Sequence, residues 1–338
     1  EVTDSGIDWQ RADVSIEENR YAMHQFEGEA RQRASFEIAD LNHRVDLRRG
    51  GSINARAPTY EWEVPTAARQ NGPTLAQAHD DLLEKVDHLE PAPENPNYYF
   101  FAIGIENYLD APDVPFAERS TELLRQVVHK KLGVPMDDRH MTVLTGRNAT
   151  VGRIDSRLES MLARMREDDT LIFYYSGHGV PSRTGDAAYL LAQDASPGSY
   201  ERFEQFSLNA FYDRLGASKA KQIVGFIDAC FSGQVNRDQL VFEGVAPAGR
   251  LVRGQSTPKA LPEKLALMTA GTDEQFSNAY FQRQHRLFSY WLMRGLLEDK
   301  EGDELFRYVR SNVEDTSLEL GPAYHQTPEQ FGRLNYGS

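Results

Sequence analysis

The chain has a single cysteine, Cys230, and it follows directly on an apolar, β-favouring run in "QIVGFIDACFSG". His178 stands in the same relation to a second such run, "TLIFYYSGHG". A thiolate is a strong nucleophile, but an ordinary thiol of pKa about 8.5 is only a few per cent ionised at pH 7, so it needs a base or a lowered pKa. An imidazole can act as that base and later return the proton to a leaving amine. Taken singly, each residue has a plainer explanation, since a lone buried cysteine is usually a small core hydrophobe and a lone histidine after a strand is usually a hydrogen-bonded loop residue. Together they are more specific: they lie about 50 residues apart, each at a strand's carboxyl end and each flanked by small residues that let backbone approach a ligand. One cysteine cannot form an intramolecular disulfide or build a Cys-based zinc cage, so packing or chemistry remains.

These residues need elements to position them. Short apolar runs at Tyr98–Ile105, Met141–Leu144, Thr170–Tyr175, Gln222–Asp228 and Leu265–Thr269 predict strands. Three- and four-residue apolar spacing predicts helices over Phe116–Leu132, Val151–Arg166, Leu208–Leu215, Leu287–Leu297 and Glu304–Leu318, with Thr150 as an N-cap and Gly133 as a stop. Strands apolar along their whole length and joined by helices imply an α/β fold whose mostly parallel sheet is covered on both faces, with sites beyond the strands' carboxyl ends. The Pro- and Asn-rich stretch "PAPENPN", residues 91–97, reads as a boundary between an N-terminal region, 1–96, and a larger domain, 97–338. The N-terminal region is polar and weakly patterned. It offers a helix over Ser15–Leu41, a turn at "RRGGS", a strand-like "YEWEV" and an amphipathic helix around Leu82, Leu83, Val86 and Leu89, but no assignable chemistry.

"YYSGHG" followed by "DACFSG" resembles the caspase-like cysteine proteases (clan CD, peptidase C14), and most closely the prokaryotic metacaspase-like, or orthocaspase, branch. "AIGIENY", "YLLAQD", "MTAGTDEQFS", "RLFSYWLMRGL" and "QTPEQF" follow in the order such domains show, so the resemblance spans about residues 97–338. It implies a caspase-like α/β/α sandwich and a Cys-His endopeptidase in which Cys230 attacks the scissile carbonyl and His178 manages the protons. It also implies an oxyanion hole built from the backbone N–H groups of Gly179 and Cys230, with the glycine leaving its amide uncovered; one such donor is typically worth about 10²–10³ in rate. Asp228 would help bind a basic P1 side chain. The sequence departs from the pattern at a second pocket position, where "VPFAERSTEL" offers Ser120 in place of an expected acid, with Asp110, Asp113 or Glu118 as compensating candidates.

The resemblance implies no cofactor for the chemistry itself, while calcium bound through loop acids is a further implication, with Asp194, Asp273 and Glu274 as candidates. The Gly- and Pro-interrupted segment 234–264 matches by position the loop that such zymogens cleave in themselves, with Arg237, Arg250, Arg253 and Lys259 as candidate cleavage points.

The expected partners are protein or peptide substrates. Acidic residues outnumber basic ones, 51 to 37, for a net charge of −14, and no Lys/Arg cluster has interleaved aromatics, which argues against direct nucleic-acid binding. The longest apolar run is too short to span a bilayer. The chain opens at Glu1 without a basic and apolar leader, so a secretion signal is expected to have been removed or never to have existed, and the compartment stays open. A non-catalytic caspase-fold module, binding a regulatory partner through residues 1–96, is the competing reading; its usual mark is loss of the Cys or His, and both are present. No dinucleotide or P-loop glycine motif opens a helix, and no G-x-S-x-G elbow accompanies Ser176, the serine near His178.

Overall fold

The computed structural model describes residues 80–184, 186–231, 261–272 and 275–334, together with the backbone of short strands at 2–3, 6–7, 234–236 and 239–240. The chain divides into two compact units, Glu1–Gly72 and Pro73–Ser338. In the first, Val2–Thr3 pairs antiparallel with Gly6–Ile7. The features expected at Ser15–Leu41, "RRGGS" and "YEWEV" lie outside the described residues.

The second unit begins well before the boundary expected at residues 91–97. Helix α1 (Asp81–Asp87), with Asp80 accepting the Leu83 N–H at its start, already belongs to it and buries Leu82 and Val86 in the core. Residues 91–97 are fastened down as well: the Ala92 N–H donates to the Lys130 carbonyl and the Asn95 N–H to the Gly133 carbonyl. The prolines and asparagines mark a bent crossing over the domain surface, a geometry for which their fixed φ and turn chemistry suit them as well as they suit a linker.

Six strands form one sheet: β1 (Tyr98–Gly104), β2 (Met141–Thr145), β3 (Thr170–Ser176), then beyond a hairpin of β4 (Gly179–Pro181) and β5 (Ala188–Leu190), β6 (Gln222–Asp228), β7 (Leu265–Thr269) and, past a second hairpin of β8 (Ala279–Tyr280) and β9 (His285–Arg286), β10 (Glu329–Phe331). The order across the sheet is β10-β7-β6-β3-β1-β2. The five longer strands are parallel, and β10 closes one edge antiparallel to β7.

Alternation along the strands sends side chains to two cores. Tyr99, Phe101, Ile103, Phe173, Tyr175, Ile223 and Ile227 pack on one face with α3 (Val151–Arg164) and α4 (Leu208–Ala217). Phe100, Ala102, Ile172, Tyr174, Val224 and Phe226 pack on the other with α1, α2 (Ala117–Leu132), α5 (Leu287–Leu297) and α6 (Gly302–Leu320). Burial on both faces explains why these strands carry unbroken apolar runs. The Thr150 hydroxyl caps α3 by accepting the Arg153 N–H, and Gly133, at φ 69°, takes the left-handed turn that ends α2.

Candidate active site

The two central strands β3 and β6 run in parallel register, with Ser176 opposite Asp228. Their hydrogen-bond ladder continues past the strand ends: the Gly177 N–H donates to the Asp228 carbonyl at 3.3 Å and the Gly179 N–H to the Cys230 carbonyl at 3.1 Å. His178 and Cys230 are therefore neighbours across a backbone ladder, brought together by register although they are far apart in sequence. Both are buried, with 4% and 9% of their surfaces exposed.

The imidazole of His178 is held by its Nε2, 2.7 Å from the carbonyl oxygen of Pro112. A carbonyl only accepts, so Nε2 carries the proton and Nδ1 is the ring's acceptor. The Pro112 loop is itself pinned by two backbone bonds, Leu109 N–H to the Gln193 carbonyl and Val114 N–H to the Glu106 carbonyl. From behind, the Tyr108 hydroxyl accepts the backbone N–H of His178 at 2.8 Å while its ring packs on the imidazole, and the Tyr175 hydroxyl donates to the His178 carbonyl at 2.6 Å. Burial is the main cause that brings the His178 pKa down to about 4; the positive charge of Arg286 adds to the effect, while the Pro112 carbonyl and Asp113 oppose it. At neutral pH the ring is an uncharged base.

Asp228 is fully buried, and its carboxylate is enclosed by donors. The Ser277 hydroxyl reaches Oδ1, while the N–H of Ser289, at 3.2 Å, and the Ser289 hydroxyl both reach Oδ2. The Tyr174 hydroxyl supports Ser289 at 2.6 Å. The guanidinium of Arg286 lies beside Oδ1, with Nε at 3.8 Å, and is anchored through Nη2 on the Ser277 carbonyl and, at 3.0 Å, on the Ser277 hydroxyl.

Residues 101–335 match the family described as "Caspase domain". The chain belongs to the caspase-domain family. Among solved structures it is similar to a protein of Geobacter sulfurreducens, at 18% identity over 72% of this chain and 95% of that one, with a TM-score of 0.48. It is also similar to caspase-1 from Spodoptera frugiperda, at 16% identity over 73% and 96% of the two chains, with a TM-score of 0.45. No curated protein matches it.

Within this caspase domain the other expected site residues fall in different places. Gly179 lies beside Cys230, but its amide is not uncovered: the N–H is taken by the Cys230 carbonyl, and the Phe231 ring lies against the glycine, so that a Cβ there would stand 2.3 Å from the ring. Ser120 does not line an open pocket. It is fully buried, and its hydroxyl bridges the His285 Nδ1 at 3.2 Å and the Arg286 N–H at 3.0 Å.

Asp194 is exposed and accepts the Val151 N–H at the start of α3, an ordinary helix-capping task. Asp273, Glu274, Arg237, Arg250, Arg253 and Lys259 lie outside the described residues. Among the described residues no group of three or more His, Cys, Asp or Glu is arranged to hold a metal ion, and no helix is long and apolar enough to cross a membrane. Of the compensating acids, Asp113 acts on His178 through its charge, and the Glu118 carboxylate lies beside Gly146. Ser176 is buried within the β3 ladder, opposite both Gly104 and Asp228.

Sequence reasoning passed over Tyr108, Pro112, Ser277, Arg286 and Ser289. The signal for Ser277, Arg286 and Ser289 was within reach, since "FS" and "RLFS" stand inside two of the motifs that carried the resemblance. Pro112 contributes only its backbone carbonyl, and any residue type supplies one.

Proposed function

We propose that the chain is a cysteine endopeptidase whose nucleophile is Cys230 and whose base is His178. The reading is carried by the ladder that sets the two residues side by side, together with the Pro112 carbonyl that fixes the imidazole with Nδ1 as acceptor. In the first half-reaction the thiol proton passes to Nδ1 as the sulfur bonds to the scissile carbonyl carbon and the carbonyl π pair moves onto oxygen. The oxyanion then reforms the carbonyl, the C–N bond breaks, and the leaving amine takes the proton from His178. Water, deprotonated by the same ring, releases the acyl group and restores the thiol.

The oxyanion needs donors, and the Gly179 N–H can serve only after it leaves the Cys230 carbonyl. Activation therefore includes an exchange at this bond, with residues 230–231 shifting so that the amide faces substrate. An Arg/Lys preference, and with it self-cleavage after Arg237, Arg250, Arg253 or Lys259, would need an available carboxylate at Asp228. That carboxylate is held by Arg286 and two serines, so we assign no basic P1 preference.

The test is hydrolysis of an unstructured protein such as casein by the chain and by its Cys230→Ala and His178→Ala variants, with mass analysis of the chain after iodoacetamide. Cleavage by the parent alone, lost when Cys230 is alkylated, is the expected result. Cleavage that persists in Cys230→Ala would overturn the assignment.

A further inference from the structure

We propose that Arg286 sets the specificity of this site: by occupying Asp228 it closes the pocket to Arg and Lys side chains and favours an uncharged side chain that offers a hydrogen-bond acceptor, such as Gln or Asn. The assignment rests on the reading of Cys230 as a peptidase nucleophile.

Three observations carry it. The first is the occupation of the Asp228 carboxylate. Of its roughly four lone-pair sites, three take donors from Ser277 and Ser289, and the remaining one, on Oδ1, lies beside the Arg286 guanidinium. A substrate cation would have to displace these groups and lie beside a second buried cation, and an unpaired like charge inside a protein is costly.

The second is the state of Arg286 itself. Only 5% of it is exposed, and its Nε has no hydrogen-bond acceptor although the atom is buried. A buried donor left unpaired costs about 1–3 kcal/mol, so an acceptor delivered by a ligand is favoured there. A carboxylate would satisfy the donor but would bring a second negative charge next to Asp228. A neutral amide carbonyl satisfies it without opposing either member of the pair.

The third is that Arg286 is held in place. Its backbone N–H donates to the Ser120 hydroxyl at 3.0 Å, Ser120 meets the His285 Nδ1 at 3.2 Å, and the His285 Nε2 meets Asp80 at 3.0 Å. The residue closes the β8–β9 hairpin immediately before α5, which fixes its backbone, and the guanidinium is held separately through Nη2 on the Ser277 carbonyl and hydroxyl. Its position joins the pocket to the dyad as well: Nη1 points to the Pro115 carbonyl at 3.5 Å, three residues from the carbonyl that holds His178, and its charge is felt at His178.

The experiment compares fluorogenic peptides differing only at P1 (Gln, Asn, Arg, Lys, Asp) on the parent chain, Arg286→Ala and Cys230→Ala, together with peptidyl acyloxymethyl ketones of the same P1 series and mass analysis of Cys230. Gln or Asn should exceed Arg, Lys and Asp by about tenfold or more in kcat/KM on the parent. Arg286→Ala should reverse the order in favour of Arg and Lys by releasing Asp228. A parent that cuts or is labelled by Arg or Lys reagents as well as by Gln overturns the specificity assignment and leaves the peptidase reading standing. If no peptide is cut and no ketone reaches Cys230, the peptidase reading fails and the assignment falls with it. The pairing is also tested without turnover, by urea unfolding of Arg286→Gln, Asp228→Asn and the double variant. The double variant should lose clearly less stability than the two single losses combined, whereas additive losses would show that the residues are not coupled.

Discussion

His178 donates its Nε2–H to the carbonyl oxygen of Pro112 at 2.7 Å, so a neutral backbone dipole, and no carboxylate, orients the proposed base. A dipole fixes the tautomer and the plane of the ring, but it contributes far less than a carboxylate to stabilising an imidazolium. In a buried site next to Arg286 the charged ring is disfavoured, and the pKa falls to about 4. In the proposed reaction the charge that develops on the ring would therefore be transient, handed on quickly to the leaving amine.

This depressed value has a consequence for stability whose sign is definite. An unfolded histidine titrates near 6.5, so between pH 6.5 and about 4 the unfolded chain binds a proton that the folded chain does not. Stability from this residue is unaffected above pH 6.5 and is lost as pH falls toward 4, by about 3 kcal/mol in all. Urea unfolding of the parent and of His178→Gln across pH 4–8 should show the slope in the parent and a flatter profile in the variant. The acidic limb of kcat/KM should likewise lie well below the usual histidine range and move upward in Arg286→Gln.

Tyr108 is a positioning residue for the same ring. Its hydroxyl takes the backbone N–H of His178, and Gly177 has to be glycine because a Cβ there would stand 2.4 Å from that oxygen. Tyr108→Phe leaves a buried amide without its acceptor, at a cost of about 1–3 kcal/mol in stability. A purely structural loss would stop there. If the hydroxyl also holds the His178 backbone in register, kcat should fall about tenfold or more while KM changes little, as steady-state kinetics on any cleaved peptide would report.

Gly179 gives a sharper steric test. A Cβ at this position would meet the Phe231 ring at 2.3 Å and the Cys230 carbonyl oxygen at 2.6 Å, both closer than atoms tolerate. Gly179→Ala should push the ladder apart between the histidine and cysteine loops, costing about 1–3 kcal/mol in the resting chain, as urea unfolding would report. The double variant Gly179→Ala/Phe231→Ala should regain only part of that loss, because the ring clash is gone while the clash with the Cys230 carbonyl remains.

Much of this was legible in the sequence, and the gaps have physical causes. Strands such as "YYFFAIG" and "TLIFYYS" are buried on both faces, so their apolar runs were unbroken and their ends fell within a residue or so of those expected. Residues 177–179 and 228–230 follow from register alone once a parallel pair is assumed. The edge strand β10 was missed because three half-buried residues, Glu329–Phe331, carry no periodic signal. The state of Asp228 was missed for a different reason. Its partners Ser277, Arg286 and Ser289 come from the segment before a hairpin, the hairpin and a helix some 50 to 60 residues downstream, and pairwise spacing says nothing about which of many arginines folds back onto a given carboxylate. Occupancy of the Gly179 amide was equally invisible, since a glycine reads the same whether its N–H is free or bound.

The chain Asp80–His285–Ser120–Arg286 supplies the last prediction, because it links the start of α1 to the pocket through atoms that can be removed one at a time. Burial alone would raise the Asp80 pKa, but the hydrogen bond and charge of His285, with help from the Leu83 N–H and Arg119, bring it down to about 2. Its contribution to stability is thus present above about pH 3.8 and is lost as pH falls from there toward 2. Asp80→Asn should remove that acid-side loss while keeping an acceptor for His285. Ser120→Ala is the more severe change, since it strips the Arg286 N–H and the His285 Nδ1 of their shared partner at a cost of about 1–3 kcal/mol. A chain that merely packs would lower the melting temperature of Ser120→Ala and leave the P1 ratios alone. A chain that aims Arg286 would also narrow the gap between Gln and Arg peptides in that variant, and unchanged ratios in a folded Ser120→Ala would show that the arginine holds its place on Asp228 without it.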